Sequence, residues 1–223
     1  MGGIINIATI EQFPAEYKGA LPLCGYLAPV YCAFQRSLDM LVTFDYFFGD
    51  NSGILVTEDM VSLGTLKEQV NNNTAMIERF TEHFQIKKEV LANVIYSRQA
   101  LFKETVGLQG GLPIGYLQTI FYGFGFKDDT LNKNVRRYKS NPDALEYLLS
   151  YNTPSRRISD PVIAMDTAYD QILPTNNSNY DYYERAAHIN GTGHLFRQKY
   201  VVRNEHCNFT NAQVAESFDE LID

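Results

Sequence analysis

From Ile158 to the C-terminus the chain reads strand, helix, strand, helix with short connections, and this order constrains the fold more than any other feature. Ile158-Ser159-Asp160-Pro161-Val162-Ile163-Ala164-Met165 has the texture of a buried strand running into a loop at 166–174. Residues 179–189 suit a Tyr-rich helix and 196–202 a second strand. Residues 211–222 suit a closing helix, with Val214, Phe218 and Leu221 on one face and Thr210 as its N-cap. Strands alternating with helices pair in parallel, so the expected class is α/β. Upstream, Ile4, Ile5, Ala8 and Ile10 suit a first helix ended by Phe13-Pro14. The glycine-bounded run from Tyr17 to Gly25 suits a short buried strand, and Leu38 to Phe48 a helix stopped at Gly49.

The middle of the chain lacks this alternation. Residues 76–84, 87–103, 116–121 and 142–150 show helical spacing, and Asn141-Pro142 is a helix-start signal. The expected organisation is a core over 1–49 and 155–223, interrupted by a helical insertion over 50–154. With 45% hydrophobic and 20% charged residues, a largely disordered chain is excluded. No eighteen-residue apolar run occurs, so no membrane-spanning helix is expected. A net charge of −7 argues against a nucleic-acid partner.

In a parallel sheet, functional groups sit on loops at the carboxyl ends of strands. The two such loops hold Asp170 and His206, an acid followed 36 positions later by a base. A carboxylate that fixes an imidazole's tautomer, and an imidazole that moves a nucleophile's proton, are two members of a Ser–His–Asp triad. Asp166 is the competing acid; the spacing to Pro174 favours Asp170. His83, His188 and His194 read as surface or loop residues, and Ser52 as part of a turn. Asp128-Asp129 reads as a solvated helix start, and Arg136-Arg137 and Arg156-Arg157 as solvated faces. No metal-spaced His/Cys motif and no phosphate-cradling glycine loop is present, so neither a cofactor nor a metal is expected.

These segments together resemble the α/β-hydrolase family. Asp170-Gln171-Ile172-Leu173-Pro174 is similar to its acid loop. His206-Cys207-Asn208-Phe209-Thr210 resembles the histidine turn of a group of exported serine esterases, related to tannases and feruloyl esterases. Leu23-Cys24-Gly25, and Leu38-Asp39 through Phe44-Asp45, resemble the sheet end and the start of the lid in that group. No Gly-x-Ser-x-Gly occurs. Met1-Gly2-Gly3, the first helix and the run from Gly19 to Gly25 are similar to the stretch after the nucleophilic serine. The resemblance therefore implies the C-terminal part of an α/β-hydrolase fold with a helical lid insertion, beginning one residue past the serine.

In that family the residue after the nucleophile donates its N–H to the oxyanion, which puts Met1 in that role. The implied activity is carboxylic-ester hydrolysis on a small-molecule ester. The implied parent is secreted or periplasmic, although this chain carries no basic-then-apolar export signal. The chain alone would be inactive. An acyltransferase of the same fold and a non-catalytic binding fragment are the alternatives. Tannase relatives pair the cysteine beside the histidine with one beside the serine. For Cys207 that partner would lie upstream of Met1, or be Cys24, and the pairing among Cys24, Cys32 and Cys207 stays open.

Overall fold

The computed structural model describes residues 2–53, 56, 59–151, 154–170 and 179–223. The chain divides into two units, Met1–Val30 with Thr153–Asp223, and Tyr31–Asn152.

The first unit is built on a small parallel sheet. Strand β1 (Val162–Tyr169) pairs in parallel with β2 (Phe196–Asn204). On the other side of β1, Ala20 and Leu23 make isolated parallel bridges to Val162 and Met165. The 17–25 run thus lies beside the sheet with only two bridging positions. β1 is central, and six consecutive residues from Val162 are buried on both faces, as its apolar run requires. β1 also runs to Tyr169, so 166–169, expected as loop, continue the strand: Thr167 is fully buried and Asp166 nearly so.

Helix α1 (Gly2–Gln12) ends where Pro14 supplies no N–H and disfavours helical Phe13. It sinks Ile7 and Ile10 into a core with Leu27, Ala164, Tyr183 and Phe196. Helix α8 (Asn179–Ile189) covers the sheet through Tyr183, whose ring packs 4.8 Å from that of Phe196. Glu11 closes the unit by accepting hydrogen bonds from Ser155 N (2.6 Å), Arg156 N (2.7 Å) and Tyr183 OH (2.7 Å). Helix α9 (Asn211–Ile222) starts with a full capping box between Thr210 and Gln213. Its expected apolar face is less buried than its spacing suggests, since Phe218 is 52% exposed.

The second unit is helical: α2 (Val30–Phe48), α3 (Leu63–Asn72), α4 (Thr74–Phe84), α5 (Lys88–Gln109), α6 (Asp128–Asn134) and α7 (Pro142–Tyr151). Its centre is aromatic. Phe80 meets Phe44, Phe48, Phe84 and Phe124 at ring distances of 5.9, 5.3, 4.7 and 6.2 Å. Edge-on and tilted pairs of this kind add to the stability given by buried area alone. Helix α2 begins eight residues before the expected Leu38. Phe34 explains the extension, since it is buried edge-on against Phe102 at 5.4 Å, and tertiary packing outweighs the weak helix propensity of Val30 to Cys32.

Residues 116–121, expected to be helical, are not. Arg137 is the physical reason: its guanidinium takes the carbonyls of Tyr116 (3.3 Å) and Thr119 (2.5 Å), along with that of Asn132 (3.1 Å). The Asn132 amide meanwhile accepts from Phe121 N and donates to Phe121 O. Arg137 is therefore an internal clamp and not a solvated charge. Asp128 likewise accepts from Gly123 N and Phe124 N, which accounts for it as a loop cap.

Burial lifts the Asp39 carboxyl in α2 to about 6, against the opposing pull of the Gln35 hydrogen bond and the Arg36 charge. The folded protein then holds this proton more tightly than the unfolded chain does. The stability tied to it is fully present below the ordinary carboxylate range and is lost as pH rises through about 6. Asp39→Asn should raise stability near pH 7 by about 1–3 kcal/mol and leave it unchanged near pH 4. Urea unfolding of both proteins at the two pH values checks this, and equal differences at both would refute it.

Candidate active site

Asp170 follows the last residue of β1, and His206 lies two residues beyond β2. Because the strands are parallel neighbours, both loops leave the same end of the sheet. The register slips between Thr167 and Tyr169, so β2 carries one extra residue just before its end. Such a bulge re-aims the residues beyond it. His206 Nδ1 meets Asp170 Oδ2 at 2.6 Å. The Asp170 side chain is 0% exposed and the His206 side chain 31% exposed. The carboxylate is thus sealed behind the imidazole, which presents itself to solvent. Asp166 is buried too, and accepts a hydrogen bond from Gln198 Nε2 at 2.8 Å.

The turn that carries His206 is held on both sides. Thr167 Oγ1 donates to Glu205 O at 2.6 Å, and Glu205 N donates to Tyr169 O at 3.3 Å. After the histidine, Asn208 Nδ2 donates to Asn204 O and Arg203 reaches Asn208 Oδ1. Cys207 is joined to Cys24 by a disulfide, with Cα atoms 5.6 Å apart, while Cys32 is free and exposed. Cys24 N also donates to Met165 O at 2.8 Å, so the bond anchors the His206 turn to the far side of β1.

Glu205, Cys207 and Cys24 all have positive φ, at 76°, 55° and 47°. Residues with a β-carbon held there cost about 1–3 kcal/mol each and persist where surroundings fix them. Three such residues around one histidine mark a turn held against its local preference.

The first turn of α1 comes to the same place. A β-carbon on Gly3 would lie 2.5 Å from Gly25 Cα, and one on Gly25 would lie 2.8 Å from Gly3 C. The helix start thus packs directly on the residue after Cys24, a closeness only two glycines allow. Met1, expected as the oxyanion donor, lies outside the described residues, as do 171–174 of the acid loop. Ser52 N donates to Asp50 Oδ1, which makes Ser52 part of an Asx turn in the other unit.

Among the described residues one group has metal-binding side chains close together: Cys24, His206 and Cys207, with donor atoms within 4.8 Å of one another. Sequence spacing gave no sign of it, because Cys24 and Cys207 are 183 positions apart. In the second unit a cavity of about 560 Å³ is lined by Tyr31, Tyr116, Leu117, Tyr138 and Leu145 among others. No helix of the described residues is long and apolar enough to cross a membrane.

No family model matches the chain, and no curated protein does. Among solved structures it is similar to an acetylester hydrolase from Corynebacterium glutamicum, at 12% identity and a TM-score of 0.38. The alignment covers 99% of this chain and 58% of that one. The chain thus spans little more than half of that protein's length.

Proposed function

We propose that Asp170 and His206 are the acid and base of a Ser–His–Asp triad that hydrolyses a carboxylic ester, on an α/β-hydrolase fold whose serine lies directly upstream of Met1. The observation that carries this reading is the 2.6 Å bond from His206 to a fully buried Asp170, with the imidazole open to solvent. A buried carboxylate on Nδ1 fixes the tautomer that leaves Nε2 free to take a proton.

The chemistry then runs in two halves. The serine Oγ bonds to the ester carbonyl carbon while His206 Nε2 takes the serine proton. The backbone N–H of Met1, the residue after the serine, holds the oxyanion. The intermediate collapses, the alcohol leaves with the proton from His206, and an acyl-serine remains. Water repeats the sequence, with His206 again as base and then acid, and releases the carboxylic acid. Asp170 keeps its negative charge throughout and steadies the imidazolium.

The Gly3–Gly25 contact supports placing the serine just before α1. It sets the helix start against the turn that is bonded to the His206 loop. A helix start there offers unpaired N–H groups, and none of its first-turn residues is acidic to compete for them. The Cys24–Cys207 bond fits a protein matured in an oxidising compartment.

The test is the coding sequence read in frame upstream of the Met1 codon, then expression of the longer product. Gly-x-Ser directly before Met1, and labelling of the longer protein but not the 223-residue chain by a fluorophosphonate, are the expected results. A stop codon and ribosome-binding signals at that place would overturn the proposal.

A further inference from the structure

The sulfurs of Cys24 and Cys207 and a ring nitrogen of His206 lie within 4.8 Å of one another. While the disulfide stands, neither sulfur is a thiolate, and the group binds nothing. We infer that opening this disulfide creates a zinc site made of Cys24, Cys207 and His206 Nε2.

The geometry is suited to it. Two thiolates and one imidazole are a known three-ligand zinc set, with the fourth tetrahedral position left to water. Zinc needs sulfurs about 2.3 Å and nitrogen about 2.0–2.1 Å from the metal, so the donors must sit roughly 3.5–4 Å from one another. With both sulfurs and a ring nitrogen of His206 already inside 4.8 Å, little movement is needed once the sulfurs separate. The outer shell is also in place. Metal-bound histidines hand their second nitrogen to a carboxylate, which fixes the ring and raises its basicity. His206 Nδ1 already meets Asp170 Oδ2 at 2.6 Å, so Nε2 is the nitrogen left for the ion. Access is open as well, because Cys207 is not buried and the His206 side chain is 31% exposed.

The steps balance with a reductant supplied from outside. A phosphine takes the disulfide to two thiols and, with one water, becomes the phosphine oxide. Zinc then displaces two protons as it binds the two sulfurs as thiolates. The zinc site rests on the dyad and the disulfide alone and holds whether or not the chain belongs to a hydrolase. Where the hydrolase reading also holds, zinc on Nε2 occupies the nitrogen the reaction needs, and a reduced enzyme becomes zinc-inhibited.

The test uses the full chain with Cys32→Ser, so that the exposed thiol does not compete. Oxidised and phosphine-reduced protein are titrated with Co2+ as an optical stand-in, then with Zn2+ to displace it. The reduced form should show thiolate-to-cobalt charge-transfer absorption at one ion per chain, and the oxidised form none. Asp170→Asn should weaken binding about 10–100-fold, and His206→Ala at least as much. Cys24→Ser should abolish the absorption. Equal binding by oxidised and reduced protein would overturn the site. So would unchanged affinity in a folded His206→Ala protein, which would mean that two thiols chelate without the histidine. Should circular dichroism show His206→Ala unfolded, Asp170→Asn decides by the same criterion.

Discussion

On the proposed triad, in an extended protein with Gly-x-Ser directly before Met1, His206→Ala should lower kcat for an aryl acetate by about 10⁴–10⁶-fold, with KM nearly unchanged. Asp170→Asn should cost about 10³–10⁴-fold. The two losses have different origins. Without His206 no group takes the serine proton, and the nucleophile stays a neutral alcohol. With Asn at 170 the imidazole remains, but its partner no longer demands a proton on Nδ1. The ring can turn or adopt the other tautomer, and the imidazolium loses the charge that steadied it. Because Asp170 is fully buried behind His206, water cannot replace it as the partner. Asp166→Asn is the contrast: it alters the acceptor of the Gln198 hydrogen bond and should hold kcat within about tenfold. Steady-state kinetics on the three variants, with circular dichroism to confirm folding, makes the comparison. Losses under tenfold for both His206→Ala and Asp170→Asn would reduce the pair to a structural ion pair.

The nearness of Asp170 and His206 was legible because each follows one of two strands joined by a helix, and a parallel sheet brings the ends of such strands together. The distance between strand ends needs no knowledge of the core. The limits of β1 were less legible. Asp166 and Thr167 look polar in a row of letters, yet both are buried by the neighbours on either side of β1. Residues 116–121 misled for a related reason. Helical spacing of apolar residues was present there, but Arg137, some twenty positions away, takes the carbonyls that a helix would need. The start of α2 was hidden in the same manner, since Phe34 is held by Phe102. The disulfide partner of Cys207 stayed open between Cys24 and a residue upstream of Met1. Three cysteines allow several pairings, and only the approach of the Cys24 turn to the end of β2 selects one. The zinc-competent trio was invisible for that reason too.

Replacing Cys24 and Cys207 together by Ala, in the Cys32→Ser background, should lower the melting temperature by about 6–20 °C. The bond closes a loop of 183 residues. In the chain-entropy account a loop of that length restricts the unfolded ensemble by about 5 kcal/mol. Part of that is offset, because Glu205, Cys207 and Cys24 sit at positive φ and relax when the tie is cut. A net loss of about 3–5 kcal/mol remains, and a chain of this size loses about 2–4 °C for each kcal/mol. The loss should also be local. Hydrogen exchange should speed up in β1, β2 and the 20–23 segment, which the bond ties together, while α4 and α5 in the other unit keep their protection. A uniform rise in exchange across both units would mean that they unfold as one. A melting temperature within about 2 °C of the parent would mean that the backbone bonds from Cys24 N to Met165 O and from Thr167 to Glu205 already hold the turn unaided.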